Sequence, residues 1–368
     1  MSTTQSETNT QDHKVILRRI GDFLLEQRAF VVFAVLVIVF SLLSDRFLDP
    51  NNLVTMTRHV AYNAILALGM LLVILTGGID LSVGSIVGLS GIVAGVLLKG
   101  WNLSLFDVTA YPAVWVVVLI ALMLGAFVGW LNGMLVTRFN VAPFIATLGM
   151  MYMARGAALL ISNGSTFPNL RGNPAIGNTG FWFIGTGRPF GIPTQILIMV
   201  VFTIVIWFLI ARTPFGRWLY ATGGNARAAA LSGVPVKRTT VRVYMISGVC
   251  AAMAGLIIAS ELTSAAPQAG NMFELNAIAA VVIGGASLAG GRGSVKGAII
   301  GAFVIGFLSD GLVLLGVSSF WQTFVKGLVI VLAVMLDQAQ ERLKKSRAAA
   351  AAAASVRKEV ENTRTAAA

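Results

Sequence analysis

Charge is scarce in this chain. Only 11% of its 368 residues are Asp, Glu, Lys or Arg, while 57% are apolar. Soluble globular domains carry roughly 25% charged residues. They also do not repeat apolar runs of about 20 residues along their whole length. A soluble fold is therefore excluded. A transmembrane barrel is excluded too, because its signal is alternating segments of about 10 residues, not long apolar runs. Cysteine is reduced to Cys250, inside an apolar run, so there is no disulfide framework and the thiol reads as a packing group. Histidine is limited to His13 and His59, which suggests no His-based metal site. No G-x-x-x-x-G-K-S/T loop, Gly-x-Ser-x-Gly elbow or zincin His pair occurs. No catalytic constellation is expected.

What charge there is leans positive. Lys and Arg number 27 against 15 Asp and Glu, a formal net charge of +12. The basic residues sit beside the apolar runs and not in one aromatic-studded patch. That is the positive-inside pattern of a membrane protein and argues against nucleic-acid binding.

The fold class expected is all-α, a polytopic transmembrane bundle of about ten spans. Residues 1–28 read as a cytoplasmic N-terminal segment, 29–336 as the membrane domain and 337–368 as a basic, Ala-rich cytoplasmic tail. The first run, Ala29 to Leu43, lacks a small-x-small cleavage site and reads as an uncleaved span. Further runs are Val60 to Thr76, Ser82 to Leu98, Ala113 to Leu131, Phe144 to Ile161, Gln195 to Ile210, Val243 to Ser260, Ala277 to Leu288, Val295 to Leu315 and Phe320 to Leu336. The third and eighth are short. Alternation from a cytoplasmic N-terminus puts the turn at Gly77, residues 132–140, loop 211–242, the turn at Gly290 and the tail inside. Those segments hold most of the Lys and Arg, so count and charge bias agree. Arg171 and Arg188, in the long loop from Ser162 to Pro193, fall outside.

Loop 211–242 is the longest polar interruption. It carries six basic residues and no acid. Asn225 opens a short Ala-rich run, Ala226 to Leu231, closed by Ser232, Gly233 and Pro235. This predicts a short helix with an Asn N-cap and a Gly-then-Pro stop. On the inner side, such a helix is a surface for a cytoplasmic partner. The inner turn Gly77-Gly78-Ile79-Asp80-Leu81-Ser82 predicts a helix stop, with Asp80 or Ser82 capping the next helix. A second reading has this turn line the cytoplasmic mouth of a path. Asp310 and Lys326 flank a turn near Gly316 at similar depth, which points to an intramembrane pair, structural or proton-coupling. Asn63, Asn132, Asn140, Glu274 and Gln322 read as interhelical or interfacial hydrogen bonders. The glycines around Gly284 and Gly290 form a tight turn and echo the Gly77 turn weakly, as an old duplication would.

The stretches Gly77 to Ser85, Ala142 to Leu148, Gly187 to Pro193, Gly223-Gly224-Asn225 with Leu231 to Val234, and Ala277 to Gly291 resemble the permease of ribose-type monosaccharide ABC importers. The resemblance runs from about Asp22 to Asp337 in the same order. It implies a type II importer-like bundle in the bacterial inner membrane, with both termini cytoplasmic. It also implies a second permease copy, ABC ATP-binding subunits inside and an extracytoplasmic sugar-binding protein. ATP and Mg would then belong to the partner ATPase, and this chain would bind no cofactor. Gly224, Asn225, Ala226, Arg227, Ala228, Ala229, Leu231, Ser232 and Gly233 would form the ATPase-coupling helix. Gly77, Gly78, Asp80 and Ser82 would form the cytoplasmic gate, and Arg171 and Arg188 would meet the binding protein. Arg227-Ala228-Ala229 and Gly233 resemble the Glu-Ala-Ala-x-x-x-Gly pattern of importer permeases, although the Glu is missing here. The residues alone leave a second class open: an ion-coupled secondary transporter of a small polar solute, with Asp80 and Asp310 as coupling sites.

Overall fold

The computed structural model describes residues 28–103, 108–172, 174, 177–335, 338, 339, 342 and 346. The expected N-terminal segment up to residue 27 and nearly all of the basic tail lie outside the described residues. The chain is a helical bundle. Its helices are α1 (Arg28–Leu43), α2 (Pro50–Leu75), α3 (Val83–Lys99), α4 (Val114–Thr137), α5 (Pro143–Ser162) and α6 (Trp182–Thr186). They continue as α7 (Thr194–Arg212), α8 (Pro214–Gly224), α9 (Ala226–Leu231), α10 (Val236–Glu261), α11 (Phe273–Ile283), α12 (Val295–Leu314) and α13 (Ser319–Met335).

Six of these, α2, α4, α5, α7, α10 and α12, are long and apolar enough to cross a membrane. Four more are apolar but shorter: α1, α3, α11 and α13. Helix α11 has 11 residues. At 1.5 Å per residue that is about 16 Å, half of a hydrocarbon core of about 30 Å. The ten apolar runs are thus ten helices, of which six meet the length for a crossing by themselves.

Two expected boundaries move. Helix α2 starts at Pro50, ten residues before the apolar run. Asp49 caps it by accepting from the backbone N–H of Asn51 at 2.9 Å, with Pro50 in the first turn. Its polar first turns, with Asn51, Asn52, Arg58 and His59, hid this start from a hydropathy reading. Helix α10 likewise begins at Val236, so Lys237, Arg238 and Arg242 ride on its first two turns.

The core lies around α2 and α10. In their apolar stretches 78% and 72% of residues are buried, against 17% in α7. Residues Ala64 to Leu75 of α2 are apolar on every side and buried on every side. Helix α4 reaches α10 through Gly125, Gly129 and Gly133. A Cβ on Gly129 would strike the Tyr244 carbonyl, and one on Gly133 would come 2.7 Å from Val241 Cα. Small residues four apart are what allow two backbones to approach in lipid.

Among the described residues, strand is confined to four pieces. β1 (Trp101–Leu103) pairs antiparallel with β2 (Val108–Ala110). β3 (Phe167–Pro168) pairs with β4 (Ser264–Ala265) and ties the long loop 162–193 to the segment after α10. The same loop is held by Asn178 Nδ2 donating to the Leu98 carbonyl at 2.8 Å, and by Ser260 Oγ, which donates to the Phe181 carbonyl and accepts from the Gly185 N–H.

Candidate functional site

Functional groups collect at the two ends of α2 and α10. One end holds the turn after α2, helices α8 and α9, and the turn after α11. Asn225 adopts an extended conformation and its side chain accepts from the Ala228 N–H at 2.9 Å, the expected N-cap. Gly233 has φ +82°, and the Val234 N–H closes on the Ala229 carbonyl. The helix between them buries Ala229 and exposes Gly224, Ala226, Arg227, Ala228, Ser232 and Gly233. Leu231 is 86% exposed, a bare apolar side chain on a basic loop.

Sequence reading missed α8, directly before this helix. Thr213-Pro214 was its start signal. It buries Phe215, Leu219 and Thr222. Its next-to-last residue is Gly223, whose Cα has no room for a Cβ against the Leu75 carbonyl and the Gly291 N–H. A Cβ on Gly290 would lie 2.9 Å from the Gly77 nitrogen and 3.0 Å from the Gly223 carbonyl oxygen. Tyr220 Oη donates to the Gly293 carbonyl at 2.8 Å. Burial pushes the Tyr220 phenol pKa up, so it stays a donor. Three turns that lie far apart in sequence thus meet on one face, backbone against backbone.

The turn after α2 is built differently from the expectation. Gly77 takes φ +78°, and Gly78 leaves no room beneath Tyr244 Oη. Asp80 does not cap α3, and Ser82, at the N-cap position, makes no side-chain capping bond. Instead Asp80 Oδ1 accepts from the Ser82 N–H at 3.0 Å and from Ser82 Oγ at 2.6 Å. Its Oδ2 accepts from Ser247 Oγ of α10 at 2.9 Å. Ser82 Oγ in turn accepts from Asn132 Nδ2 of α4 at 2.8 Å. Asp80 and Ser82 are fully buried, while Gly77 of the same turn is exposed. The carboxylate has found hydroxyl donors inside the bundle, which a helix end alone would not supply. It fastens the turn to α4 and α10.

The opposite end carries ion pairs that sequence reading missed. Arg58 Nη2 donates to Glu261 Oε1 at 2.8 Å and its Nε to Gln195 Oε1 at 3.0 Å, joining α2, α10 and α7. Away from that end, Arg155 of α5 donates to the carbonyls of Pro267 and Ala269 and to that of Gly84, in the first turn of α3. An arginine amid Met153, Ala154 and Ala157 was the available signal, since a lone charge in a span needs a partner. The expected pair of Asp310 with Lys326 is not in ion-pair contact, although Asp310 still acts electrostatically on Lys326. Asp310 faces His59 Nδ1 at 3.1 and 3.2 Å, and no ion pair within 4.0 Å joins it to Lys326 among the described residues. Equal distance from the turn fixes height but not azimuth, and α12 turns Asp310 toward α2.

Arg171 and Arg188 are both exposed and are not brought together. Arg171 lines a cavity of about 420 Å³ with Trp182, Thr186, Glu261 and Thr263. Arg188 lies outside it, beside Phe190, which is 99% exposed. Of the polar span residues, Asn132 is buried and bonded as described, and Asn63 donates to the His59 carbonyl. Among the described residues no group of three or more His, Cys, Asp or Glu is placed to hold a metal.

Comparison with known proteins matches this architecture to transport. Residues 52–334 match the family described as branched-chain amino acid transport system / permease component. The chain is 43% identical over 327 residues to the ribose import permease protein RbsC of Escherichia coli (strain K12), covering 87% of this chain and 95% of that one. It is 45% identical over 317 residues to the ribose import permease protein RbsC of Bacillus subtilis (strain 168), covering 84% and 91%. It is 35% identical over 403 residues to the xylose transport system permease protein XylH of Escherichia coli (strain K12), covering 92% and 99%. No solved structure matches it. Since the family match spans nearly the whole helical bundle, the chain belongs to this family of transport-system permease components.

Proposed function

We propose that the chain is the membrane-spanning permease subunit of an ATP-driven importer in the bacterial inner membrane, with a monosaccharide, ribose or a related pentose, as cargo. The observation that carries the reading is its identity of 43% and 45% to two ribose import permeases over at least nine-tenths of their length. The family description names branched-chain amino acids. The relatives named for ribose and xylose favour a sugar instead.

In this reading the end with α9 is cytoplasmic, as the basic bias of its loops supports. The bundle makes about ten crossings and both termini are inside. ABC ATP-binding subunits hold ATP and Mg and dock on α9, with Leu231 as the apolar contact. Two copies of this chain pair around the path. A sugar-binding protein docks outside, where Arg171 and Arg188 meet its acidic side chains. ATP-driven closure of the partner subunits moves α9. The junction of Gly223, Gly291 and Leu75 passes that motion to α2 and α12, and the path alternates its access. This chain does no covalent chemistry.

The test is reconstitution in liposomes with the ATPase subunit and the sugar-binding protein. Radiolabelled ribose should enter only with ATP and both partners. Uptake by this chain alone, driven by an ion gradient, would overturn the reading in favour of a secondary transporter.

A further inference from the structure

A second cavity, of about 590 Å³, opens beside the contact of α4 and α10 at the end that carries α9. Its rim is cationic: Arg138 at the end of α4, and Lys237, Arg238 and Arg242 on the first turns of α10. No acidic side chain lines it. All four cations are exposed, and among the described residues none makes an ion pair or a side-chain hydrogen bond. Four like charges around one hollow repel one another, and a bound anion would offset that repulsion. The floor is different. Trp130 and Met134 of α4 lie below Arg138 at helical spacing, and Met245 of α10 lies below Arg242.

Met245 also lines a third cavity, of about 400 Å³, which continues the hollow along α10. Ala126, Phe202, Val205 and Val249 wall it, and its lining is wholly apolar. From Arg238 to Val249 is eleven residues, or about 16 Å along the axis, close to half of a hydrocarbon core of about 30 Å. Its third wall is α7, the least buried of the long helices, so the hollow opens toward lipid. A cationic head thus adjoins an apolar slot, the two sharing Met245, that reaches about to the bilayer midplane.

We infer that this double cavity is a binding site for an anionic phospholipid, whose phosphodiester sits among Arg138, Lys237, Arg238 and Arg242 and whose acyl chain lies along Met245 and Val249. Basic pockets between helices at the inner face of a membrane are suited to anionic headgroups. A neutral sugar has no charge to match four cations, and a free phosphate leaves the apolar slot unused. An acidic segment of a partner protein would meet the rim but not the slot beneath it. The lipid bridges α4 to the first turns of α10, six residues beyond Leu231, and so braces the helix that continues directly from the coupling segment. The assignment to the inner leaflet rests on the orientation proposed above; the site itself does not.

The test uses the purified full chain alone, in detergent, by native mass spectrometry. Dioleoyl phosphatidylglycerol, dioleoyl phosphatidylcholine, inorganic phosphate and glycerophosphoglycerol are each titrated. The phosphatidylglycerol should bind in preference to the other three. Arg138→Gln, Lys237→Gln, Arg238→Gln and Arg242→Gln should each weaken it about fivefold, the effect of about one surface charge near an anionic headgroup. Val205→Trp, at a half-exposed position that tolerates bulk, should weaken it without altering the rim. Arg171→Gln, at the far end, should leave it unchanged. Equal binding of the two lipids, or retention of phosphatidylglycerol by the fourfold Gln variant, overturns the site. Binding of phosphate or glycerophosphoglycerol as tight as that of the lipid makes it a free-anion site. No ATPase or sugar enters the lipid titration, so its failure leaves the transport reading standing.

Discussion

His59 Nδ1 lies 3.1 Å from Asp310 Oδ2, although 251 positions separate them. The contact fastens α2 to α12 in the half of the bundle that also holds the Arg58–Glu261 pair. Lys326, across the turn from Asp310, is left outside it. A double-mutant cycle separates the two arrangements. The His59→Ala and Asp310→Ala pair should show a coupling of about 1 kcal/mol in thermal or denaturant unfolding, and the Lys326→Ala and Asp310→Ala pair, which interact only at longer range, a smaller one. The reverse order would restore the Asp310–Lys326 pairing.

Arg58 and Glu261 are about four-fifths buried, and Arg58 also holds Gln195. Removing one partner leaves a charge in a poorly hydrated place. Glu261→Ala should cost about 3 kcal/mol of stability, and Arg58→Ala a similar amount. The exchanged pair Arg58→Glu with Glu261→Arg should recover part of that loss. Additive losses in the exchanged variant, read by melting in detergent, would count against the contact as a stabilising one.

Asp80 accepts three hydrogen bonds in a fully buried place. Asp80→Ala strands the hydroxyls of Ser82 and Ser247 and should cost about 2–4 kcal/mol. Asp80→Asn keeps acceptor capacity and should cost less. Wild-type melting of the Ala variant would show that the network contributes nothing.

Leu231 is exposed, so truncating it should leave the isolated chain within about 0.5 kcal/mol of wild type. Its partner contact should suffer instead. Leu231→Ser is expected to weaken association with the ATPase subunit about tenfold, the loss of one well-buried apolar anchor. Surface-plasmon titration of wild type and Leu231→Ser against the ATPase reads this directly; equal affinities would remove Leu231 from the docking surface.

Gly223 tests the inner junction. A methyl group there meets the Leu75 carbonyl and the Gly291 nitrogen. Gly223→Ala should separate the turns at a cost of about 1–3 kcal/mol. It should cut ATP-driven uptake more than tenfold while the ATPase subunit still binds, because α9 itself is untouched. Normal uptake by this variant would show that coupling does not pass through Gly223.

Local signals in the sequence were readable where the chain decides its own shape. Asn225, Gly233 and Pro235 specify α9 within eleven residues, and the helix formed where they place it. Asp49-Pro50 was equally local but was masked by the polar turns that follow. The membrane class was legible in composition, because a bundle in lipid needs long apolar runs. The contacts that hold the site were not. Arg58 with Glu261, His59 with Asp310 and Asp80 with Ser247 join helices distant in sequence. Their pairing depends on how each helix is rotated about its axis, which hydropathy does not encode. The approach of Gly223 to Leu75 has the same character: a glycine with no turn to make gave no hint of the backbone that presses on it.

Where the end of α8 meets the turns after α2 and α11, the contacting atoms of Gly223, Gly290 and Gly291 are main chain alone. Side chains at such a meeting would act as cushions, since each can swing to another rotamer and absorb a small displacement. Peptide planes have no such freedom. In the mechanism proposed above, a push of a fraction of an ångström on α9 therefore has no slack to take up before α2 and α12 feel it, and the mechanical advantage of the machine is written in the absence of three Cβ atoms.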